Sequence, residues 1–294
     1  MTDLDPLLHP FRDDLAAAYL KDRVAAPRYV EGARRQVARG ILDLRRAPRD
    51  DAPLDSQLLH GEAVNVYDEA GGWAWVQSAG DGYVGYVAAA ALSERVAAPT
   101  HSLAALRSYL LTEPDFKAPA LDLLSMASPL AVVEERQGFA RLDGGGWIFA
   151  GHLAPLGETV ADHAETALAF LGTPYLWGGR SSLGLDCSAL VQIALARAGV
   201  FALRDTHMQE EVLGAPLAET AGIARGDLLF LPDHVAIALD PETVVHATAL
   251  YMAVAIEPLA QLEARSRESN GRGVTGVRRP RLQGGSVQSG GPAG

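Results

Sequence analysis

The chain has 294 residues, of which 48% are hydrophobic and 21% are charged, a composition that supports a substantial core and one to three domains. Its formal net charge of -11 repels phosphate backbones and anionic lipid, which argues against nucleic acid and membrane surfaces as partners. Cys187 is the only cysteine, so no internal disulfide can form.

The beginning of the chain predicts a helical segment. Residues 1–39 contain stretches such as FRDDLAAAYLKDRV, which we expect to form a helical adaptor around the following domains. The opening MTDLDPLLHPFRDDL has acids and early prolines where a secretory leader needs a basic segment and an apolar run. The apolar runs are also far shorter than the roughly 20 residues of a membrane helix. We therefore expect a cytoplasmic protein.

Two segments of the first half are similar to each other. Residues 64–92 (VNVYDEAGGWAWV, then GYVGYVAAAAL) align by residue type with residues 130–155 (LAVVEERQGFARL, then GGWIFAGHLAP). Each reads as strands separated by glycine-containing turns, which predicts two small β-barrels over 40–98 and 99–156. The motif order, with ILDLRRAP and SQLLHGE ahead of the first copy, resembles bacterial SH3-like domains.

The pattern changes at about residue 157, where an α+β domain covering 157–282 is predicted. ETVADHAETALAFLG has apolar residues at helical spacing and stops at Gly172. A second helix is predicted after the N-cap Asp186, with Gly199 as its stop and Cys187 in its first turn. The apolar face that we expect it to bury consists of Leu190, Val191, Ile193, Ala194 and Ala198. The Gly- and Ser-rich tail over 283–294 is expected to be disordered.

The position of Cys187 has chemical meaning. The positive end of a helix favours the thiolate, which is the nucleophilic form of cysteine. A small buried apolar residue is an equally good interpretation of a lone cysteine.

Two histidines favour the catalytic interpretation. DLLFLPDHVAIALD and PETVVHATAL predict strands that carry His234 and His246. If Leu239 pairs with Thr243, His246 lies opposite Ala236, and His234 is its diagonal neighbour on the same face. The two rings are then close enough to hydrogen-bond, so that one can orient the other.

GTPYLWGGRSSLGLDCSALVQIAL, RGDLLFLPDHVAIAL and VVHATA follow one another at ordinary spacings and resemble the NlpC-type cell-wall cysteine peptidases over roughly residues 160–280. The resemblance implies a circularly rearranged papain-like α+β catalytic domain, here preceded by two small SH3-like β-barrels. It also implies that Cys187 is the nucleophile, His234 the general base, and His246 the residue that fixes the tautomer of that imidazole.

Tandem SH3-like domains without an export signal are similar to one group of this family, the γ-D-glutamyl-L-diamino acid endopeptidases. The resemblance implies cleavage of free peptidoglycan stem peptides with an N-terminal L-alanine, in peptide recycling, with the first SH3-like domain closing one end of the cleft. The substrate-binding residues carried over by resemblance are Tyr175, Asp186, Ser188, Asp205, Glu62 and Tyr83. Asp205 has an alternative interpretation as a cap on the turn before THMQEEVL.

Other features carry weaker expectations. No cofactor or metal is expected, because the sequence has no HExxH or CxxC pattern. An acyltransferase or amidase on the same Cys-His scaffold and a non-catalytic wall-peptide-binding protein are the alternative functions. Both diaminopimelate and lysine are open as the third residue of the peptide. A solvated basic surface is the interpretation of Arg265, Arg267, Arg272, Arg278, Arg279 and Arg281.

Overall fold

The structure is a computed structural model that describes residues 4–217 and 222–282. The strands before residue 94 are β1 Phe11–Arg12, β2 Leu15–Ala17, β3 Tyr29–Val30, β4 Ala33–Val37, β5 Ile41–Arg45, β6 Leu54–Leu59, β7 Ala63–Ala70, β8 Trp73–Ser78, β9 Val84–Ala88 and β10 Leu92–Ser93. The strands up to residue 155 are β11 His101–Leu103, β12 Arg107–Leu111, β13 Ala120–Ser125, β14 Pro129–Leu130, β15 Val132–Arg136, β16 Phe139–Leu142, β17 Trp147–Phe149 and β18 Leu153–Pro155.

The remaining part of the chain contains the α-helices. They are α1 His163–Leu168, α2 Cys187–Arg197, α3 Thr206–Val212 and α4 Leu259–Asn270. Its strands are β19 Arg180–Ser181, β20 Gly184–Leu185, β21 Ala215–Pro216, β22 Leu228–Leu231, β23 His234–Ala238, β24 Thr243–Thr248, β25 Ala253–Pro258 and β26 Gly276–Arg279.

The N-terminal segment is not the helical adaptor that the sequence predicts. It forms a small sheet of β1, β2 and β3, with a single 3-10 turn at Ala18–Leu20. Leu15, Ala16 and Ala17 are all fully buried, and Leu15 and Ala17 pack with Trp75 of β8. A helix buries one face only, so burial of three consecutive residues favours the extended chain over the helix propensity of alanine. In addition, β4 joins the next domain, which therefore begins before residue 40.

The first β domain is a seven-stranded antiparallel sheet in the order β10-β4-β7-β8-β9-β5-β6. Its fully buried core includes Leu44, Val64, Val76 and Val87, which come from alternating positions of neighbouring strands. Gly85 lies so close to Leu44 that a Cβ would stand 2.1 Å from the leucine side chain. The sheet can close at this point only because residue 85 has no side chain.

The second β domain has the same strand order with one strand broken. Its sheets are β18-β11-β14 and β15-β16-β17-β12-β13, so that β14 and β15 together correspond to β7. Gly146 lies against Leu110 as Gly85 lies against Leu44, and a Cβ there would stand 2.7 Å from the leucine. The internal similarity of the sequence therefore corresponds to a repeated architecture.

The third domain packs helices on both faces of a six-stranded antiparallel sheet in the order β21-β26-β22-β23-β24-β25. Alternate residues of β22 point to opposite faces, with Phe230 in the core beneath α1 and α2, and Leu229 in the core beneath α4. The α1 helix is shorter than predicted because Asp162 caps its start, accepting from the N–H of Ala164 at 2.9 Å. After Leu168 the chain continues in turns as far as Gly172, which has φ +77°.

Two further expectations concern the ends of the chain and membranes. The tail at 283–294, predicted to be disordered, lies outside the described residues. Over residues 4–217 and 222–282, no helix combines the length and the apolar character needed to cross a bilayer.

Candidate active site

The hairpin of β23 and β24 has the predicted register. Ile237 pairs with Val245 and Ala238 with Val244, which places His246 opposite Ala236. His234 Nε2 lies 2.7 Å from His246 Nδ1, and the two rings are nearly perpendicular, at 75°. The predicted hydrogen bond between the two imidazoles is therefore confirmed.

Cys187 is the first residue of α2, as the sequence predicts. Asp186 caps the helix by accepting from the N–H of Ala189 at 2.9 Å, and the chain leaves the helix at Gly199, with φ +75°. The predicted apolar face of α2 is buried. This helix packs on β23, and the backbone of Val235, the residue after His234, lowers the pKa of the Cys187 thiol.

Burial sets the protonation state of the cysteine. Desolvation raises the pKa of the Cys187 thiol to about 11, and the nearby Asp186 carboxylate contributes in the same direction. The backbone of Val235 and the hydroxyl of Thr206, whose Oγ1 lies 3.8 Å from Sγ, act in the opposite direction but do not outweigh burial. Cys187 is thus a neutral thiol at pH 7, and its ionisation requires a base.

The two histidines are also neutral. Desolvation lowers the pKa of His234 to about 4 and the pKa of His246 to about 3. A neutral imidazole can accept a proton, whereas an imidazolium cannot. In the free protein the site therefore combines a neutral Cys187 thiol with the unprotonated imidazole of His234.

A cavity of about 530 Å³ opens over Cys187 between the first β domain and the third domain. Its lining consists of Leu7, Arg46, Asp55, Tyr83, Tyr175, Trp177, Asp186, Cys187, Ser188, Asp205, Thr206, His207, Glu210, Leu231, Pro232, Asp233, Arg272 and Thr275. Five of the six residues predicted to bind substrate are among them. His246 is fully buried behind the cavity, and His234 is half-buried and borders a smaller neighbouring cavity of about 170 Å³.

Asp205 is aimed at the cavity rather than at its own helix. It stands at the N-cap position of α3, but its side chain makes no capping hydrogen bond. Its Oδ2 accepts from the hydroxyl of Tyr83, 3.0 Å away on the first β domain. Burial raises the pKa of the Asp205 carboxyl above its usual value. The alternative interpretation of Asp205 as a cap is therefore wrong.

Asp186 and Ser188 belong to a buried polar network. Arg204, 1% exposed, donates to both carboxylate oxygens of Asp186, at 2.9 and 2.6 Å, and to Ser188 Oγ at 2.9 Å. Its Nε donates to Ser56 Oγ of the first β domain at 2.9 Å. A buried ion pair of this kind is favourable only when its remaining lone pairs and protons are also satisfied. The network therefore fixes the cavity wall beside Cys187.

Tyr175 forms another part of the wall. It lines the cavity and packs against the core of the third domain. Burial raises the pKa of its hydroxyl to about 12, so the phenol stays neutral and can donate a hydrogen bond.

Glu62 is not in the cavity. Its carboxylate receives two hydrogen bonds from Arg180, at 3.0 and 2.8 Å, and one from the N–H of Leu59 at 2.9 Å. The pair joins the first β domain to the third domain. The prediction of Glu62 as a substrate-binding residue is therefore not supported, because its oxygens hold the two domains together.

Sequence reasoning missed the acid that the first β domain does contribute. Asp55 of β6 lines the cavity, is 7% exposed, and pairs with Arg46 at 2.6 Å. The available signal was the polar run Asp55, Ser56 and Gln57, which interrupts the apolar pattern of a strand and is buried throughout. Polar residues in such a position need partners. Here Asp55 pairs with Arg46 of the same domain, whereas Ser56 and Gln57 accept hydrogen bonds from Arg204 and Arg180 of the third domain.

A metal centre does not appear among the described residues. Over 4–217 and 222–282, the structure has no group of three His, Cys, Asp or Glu side chains arranged to hold an ion.

The fold and the site together define a class of protein. A cysteine at a helix start, packed on a hairpin that carries two hydrogen-bonded histidines, is the arrangement of a thiol-dependent hydrolase or transferase.

Family comparisons identify the domains. Residues 172–267 match the NlpC/P60 family, and residues 44–92 match the bacterial dipeptidyl-peptidase SH3 domain. The family recognised from the sequence is therefore confirmed. Residues 172–267 are thus an NlpC/P60 domain, and they are preceded by a bacterial SH3-like domain over residues 44–92.

Individual relatives agree with these domains. The chain is 41% identical over 99 residues to dipeptidyl-peptidase 6 of Lysinibacillus sphaericus, covering 31% of this chain and 35% of the relative. It is 28% identical over 199 residues to the γ-D-glutamyl-L-lysine dipeptidyl-peptidase of Bacillus subtilis, covering 61% of this chain and 64% of the relative. The matches thus span about a third and just under two thirds of these curated relatives.

Solved structures establish the fold. An NlpC/P60 family protein from Bacillus cereus superposes with a TM-score of 0.72 at 20% identity, over 84% of this chain and 99% of that one. An NlpC/P60 endopeptidase from Photobacterium damselae superposes with a TM-score of 0.61 at 13% identity, over 90% of this chain and 77% of that one. The third domain thus has the papain-like fold of this family.

Proposed function

We propose that this protein is a cysteine endopeptidase that hydrolyses the γ-D-glutamyl-L-diamino acid bond of free peptidoglycan stem peptides. The observation that carries the proposal is the acidic end of the cavity, where Asp55 and Tyr83 of the first β domain meet Asp205 beside Cys187. This arrangement suits a substrate with a free ammonium group a short distance from the bond that is cleaved.

The ammonium site follows from the cost of burying charge. An ammonium group taken out of water needs a carboxylate partner and hydrogen-bond acceptors, or it loses several kcal/mol. Asp205 offers a buried carboxylate that the Tyr83 hydroxyl holds in place, and Asp55 lines the same cavity. The N-terminal amine of L-alanine would pair with them, and Asp55 would exchange Arg46 for that amine.

The proposed mechanism is nucleophilic catalysis. His234 takes the proton of Cys187, and the thiolate attacks the γ-carbonyl of D-glutamate. The developing oxyanion is met by backbone N–H groups at the start of α2, which an α-helix leaves without internal partners. His234 then gives its proton to the leaving amine of the diamino acid, and water hydrolyses the thioester. His246 holds the ring of His234 throughout.

The names of the relatives support this bond specificity. Two relatives, from Bacillus subtilis and Bacillus cereus, are called γ-D-glutamyl-L-lysine dipeptidyl-peptidases. For this chain we propose the bond to a diamino acid, with diaminopimelate and lysine as the two candidates.

We also propose a role in recycling. A cleft closed by the first β domain favours short soluble peptides over stem peptides still attached to the wall through their N-terminus. The protein would degrade such fragments in the cytoplasm after their import.

The second β domain is proposed to be a second SH3-like barrel. Its support is the strand order that it shares with the first domain and the repeated glycine-leucine contact at Gly85 and Gly146.

The experiment is to incubate the protein with L-Ala-γ-D-Glu-diaminopimelate and with the lysine analogue, and to identify the products by mass. We expect L-Ala-γ-D-Glu and the free diamino acid, and no release from Cys187→Ala or Cys187→Ser. Either change at a helix start costs little packing, so circular dichroism should show an intact fold. An alanine variant that keeps more than a few per cent of the rate would contradict the role of Cys187.

Two additions separate the alternatives. A competing amine captured in the product would indicate an acyltransferase, because a thioester can be resolved by an amine as well as by water. Binding of the peptide without turnover would indicate a non-catalytic wall-peptide-binding protein. Efficient solubilisation of intact sacculi would contradict the proposed preference for free peptides.

A further inference from the structure

A buried carboxylate lies directly behind the histidine pair. Glu257 of β25 is 2% exposed, and its Oε1 lies 3.1 Å from His246 Nε2. Glu257 pairs with Val244 across the sheet, so it is the diagonal neighbour of His246 on the side opposite His234. His234, His246 and Glu257 therefore form a diagonal line across three adjacent strands.

The carboxylate is itself held by an arginine. Arg265 of α4 donates to Glu257 Oε1 at 2.5 Å and to Oε2 at 3.0 Å, a bidentate contact. The sequence interpretation placed Arg265 on a solvated basic surface, but this side chain is only 31% exposed and is paired. The bidentate contact fixes the orientation of the Glu257 side chain and of the oxygen that faces His246.

The order of these groups decides which ring nitrogens carry protons. Both rings are neutral, so each has one N–H. A carboxylate accepts and cannot donate, and it therefore favours the proton of His246 on Nε2, even though the N–H is bent away from the line to Oε1. His246 Nδ1 is then an acceptor, and the proton of the 2.7 Å contact belongs to His234 Nε2.

The opposite arrangement is unfavourable. With its proton on Nδ1, His246 would direct the lone pair of Nε2 at the Glu257 carboxylate, 3.1 Å away, in a buried site. His234 would then carry its proton on Nδ1 and could not act as a base through that atom.

We propose that Glu257, held by Arg265, is a positioning residue that fixes the tautomers of both histidines and leaves Nδ1 of His234 free to accept the proton of Cys187. The catalytic part of this inference rests on the proposed function. The tautomer part concerns the free protein and does not depend on it.

The experiment compares Glu257→Gln with Glu257→Met. Glutamine can keep its oxygen towards His246 and Arg265, whereas methionine fills the same space and offers no such acceptor. We expect Glu257→Met to lower kcat by roughly 10- to 100-fold, the range for supporting residues around an active site, with KM changed less than about twofold. Glu257→Gln should lose no more than about fivefold.

A matched control is present on the same helix. Glu263 pairs with Arg267 at 3.3 Å on α4, outside the site. Glu263→Met removes a carboxylate of the same chemistry and should leave kcat within about twofold.

Histidine 15N NMR of the free protein gives a readout that a purely structural ion pair would not move. In the wild type we expect His246 protonated on Nε2 and His234 protonated on Nε2, and in Glu257→Met a mixture of tautomers. Wild-type His246 protonated on Nδ1 would overturn the proposal, whether or not any peptide is cleaved. Equal kcat losses in the glutamine and methionine variants, or none in either, would overturn it as well.

Discussion

The two β domains have the same strand order but contribute differently to the cavity over Cys187. The position of Asp55 at the edge of the first domain corresponds, by strand pairing, to Leu121 in the second, which is 55% exposed. The position of Tyr83 corresponds to Gly144. One copy thus presents a carboxylate and a phenol to the cleft, and the other presents neither.

A few side chains make the first β domain, and not the second, part of the cavity wall. The cores and the close glycine-leucine contacts are preserved in both copies, so the fold does not distinguish them. The distinction lies in a few side chains on one edge strand and one turn. If the proposed function is correct, these side chains determine which peptides reach Cys187.

The largest expected effect is on the substrate itself. N-acetylation of L-Ala-γ-D-Glu-diaminopimelate removes the ammonium charge and adds bulk where the first β domain closes the cavity. We expect kcat/KM to fall by roughly 10² or more, equivalent to about 3 kcal/mol. The measurement is a pair of kcat/KM values, repeated with Asp205→Asn, in which the two peptides should become similar. Equal wild-type rates would show that the cavity is open at this end.

A tenfold effect is expected at Asp55. Asp55→Asn removes one of the charges that pair with the amine, and we expect kcat/KM on the free peptide to fall by about 10-fold, since hydrogen bonds to charged groups contribute about 1.5 kcal/mol or more. Leu121→Asn, the matching change in the second domain, should have no effect. A comparable loss in both variants would remove the functional distinction between the two domains.

A smaller effect is expected at Tyr83. Tyr83→Phe deletes the hydroxyl that donates to Asp205 at 3.0 Å and leaves the ring in place. A single buried hydrogen bond contributes about 1 kcal/mol, so we expect a loss of roughly three- to tenfold in kcat/KM. Tyr109→Phe, an exposed tyrosine of the second domain, is the control. Identical kinetics of the Tyr83 variant and the wild type would argue against a role in holding Asp205.

A modest effect is expected on the pH dependence of kcat/KM. The pKa of His234 is lowered to about 4, so the base stays neutral well into the acid range. The pKa of Asp205 is raised, so its carboxylate, which must be ionised to bind the amine, is lost first as the pH falls. We therefore expect Asp205→Asn to move the acid limb of kcat/KM to lower pH while lowering its plateau. An unchanged acid limb would mean that another group sets it.

The smallest effect on selectivity is expected at Glu62. Glu62→Gln weakens the pair with Arg180 that joins the first β domain to the third, so chemical denaturation should show a loss of about 1 kcal/mol or more. The ratio of rates on free and acetylated peptides should stay as in the wild type. A changed ratio would return Glu62 to the list of amine-binding residues.

Local features of the site could be predicted from the sequence. Asp186 and Cys187 follow the rules for a helix start, and the register of His234 and His246 follows from one short turn. Such features depend on residues that are neighbours along the chain or across a single hairpin. The resemblance to a known family then supplied the order of the segments.

Features that depend on distant packing could not be predicted. Asp55 lines the cavity only because the first β domain packs on the third, and Arg204 and Glu257 acquire their roles from partners on other elements. No spacing along the chain predicts these contacts. The N-terminal segment was assigned to helix because alanine and leucine favour it, and only the burial of consecutive residues against Trp75 reverses that preference. The extended conformation of this segment thus follows from long-range burial and not from local helix propensity.

The edge strand β6 also has a consequence for the order in which the protein is made. Two of its polar residues, Gln57 and Ser56, accept hydrogen bonds from Arg180 and Arg204, which lie 123 and 148 positions further along the chain. During synthesis the first β domain therefore exposes a hydrophilic edge to water, which is a poor template for aggregation. The wall of the cleft is completed only after residue 204 has left the ribosome. Cys187 is therefore synthesised before Arg204, the residue that joins the wall beside the thiol to the first β domain.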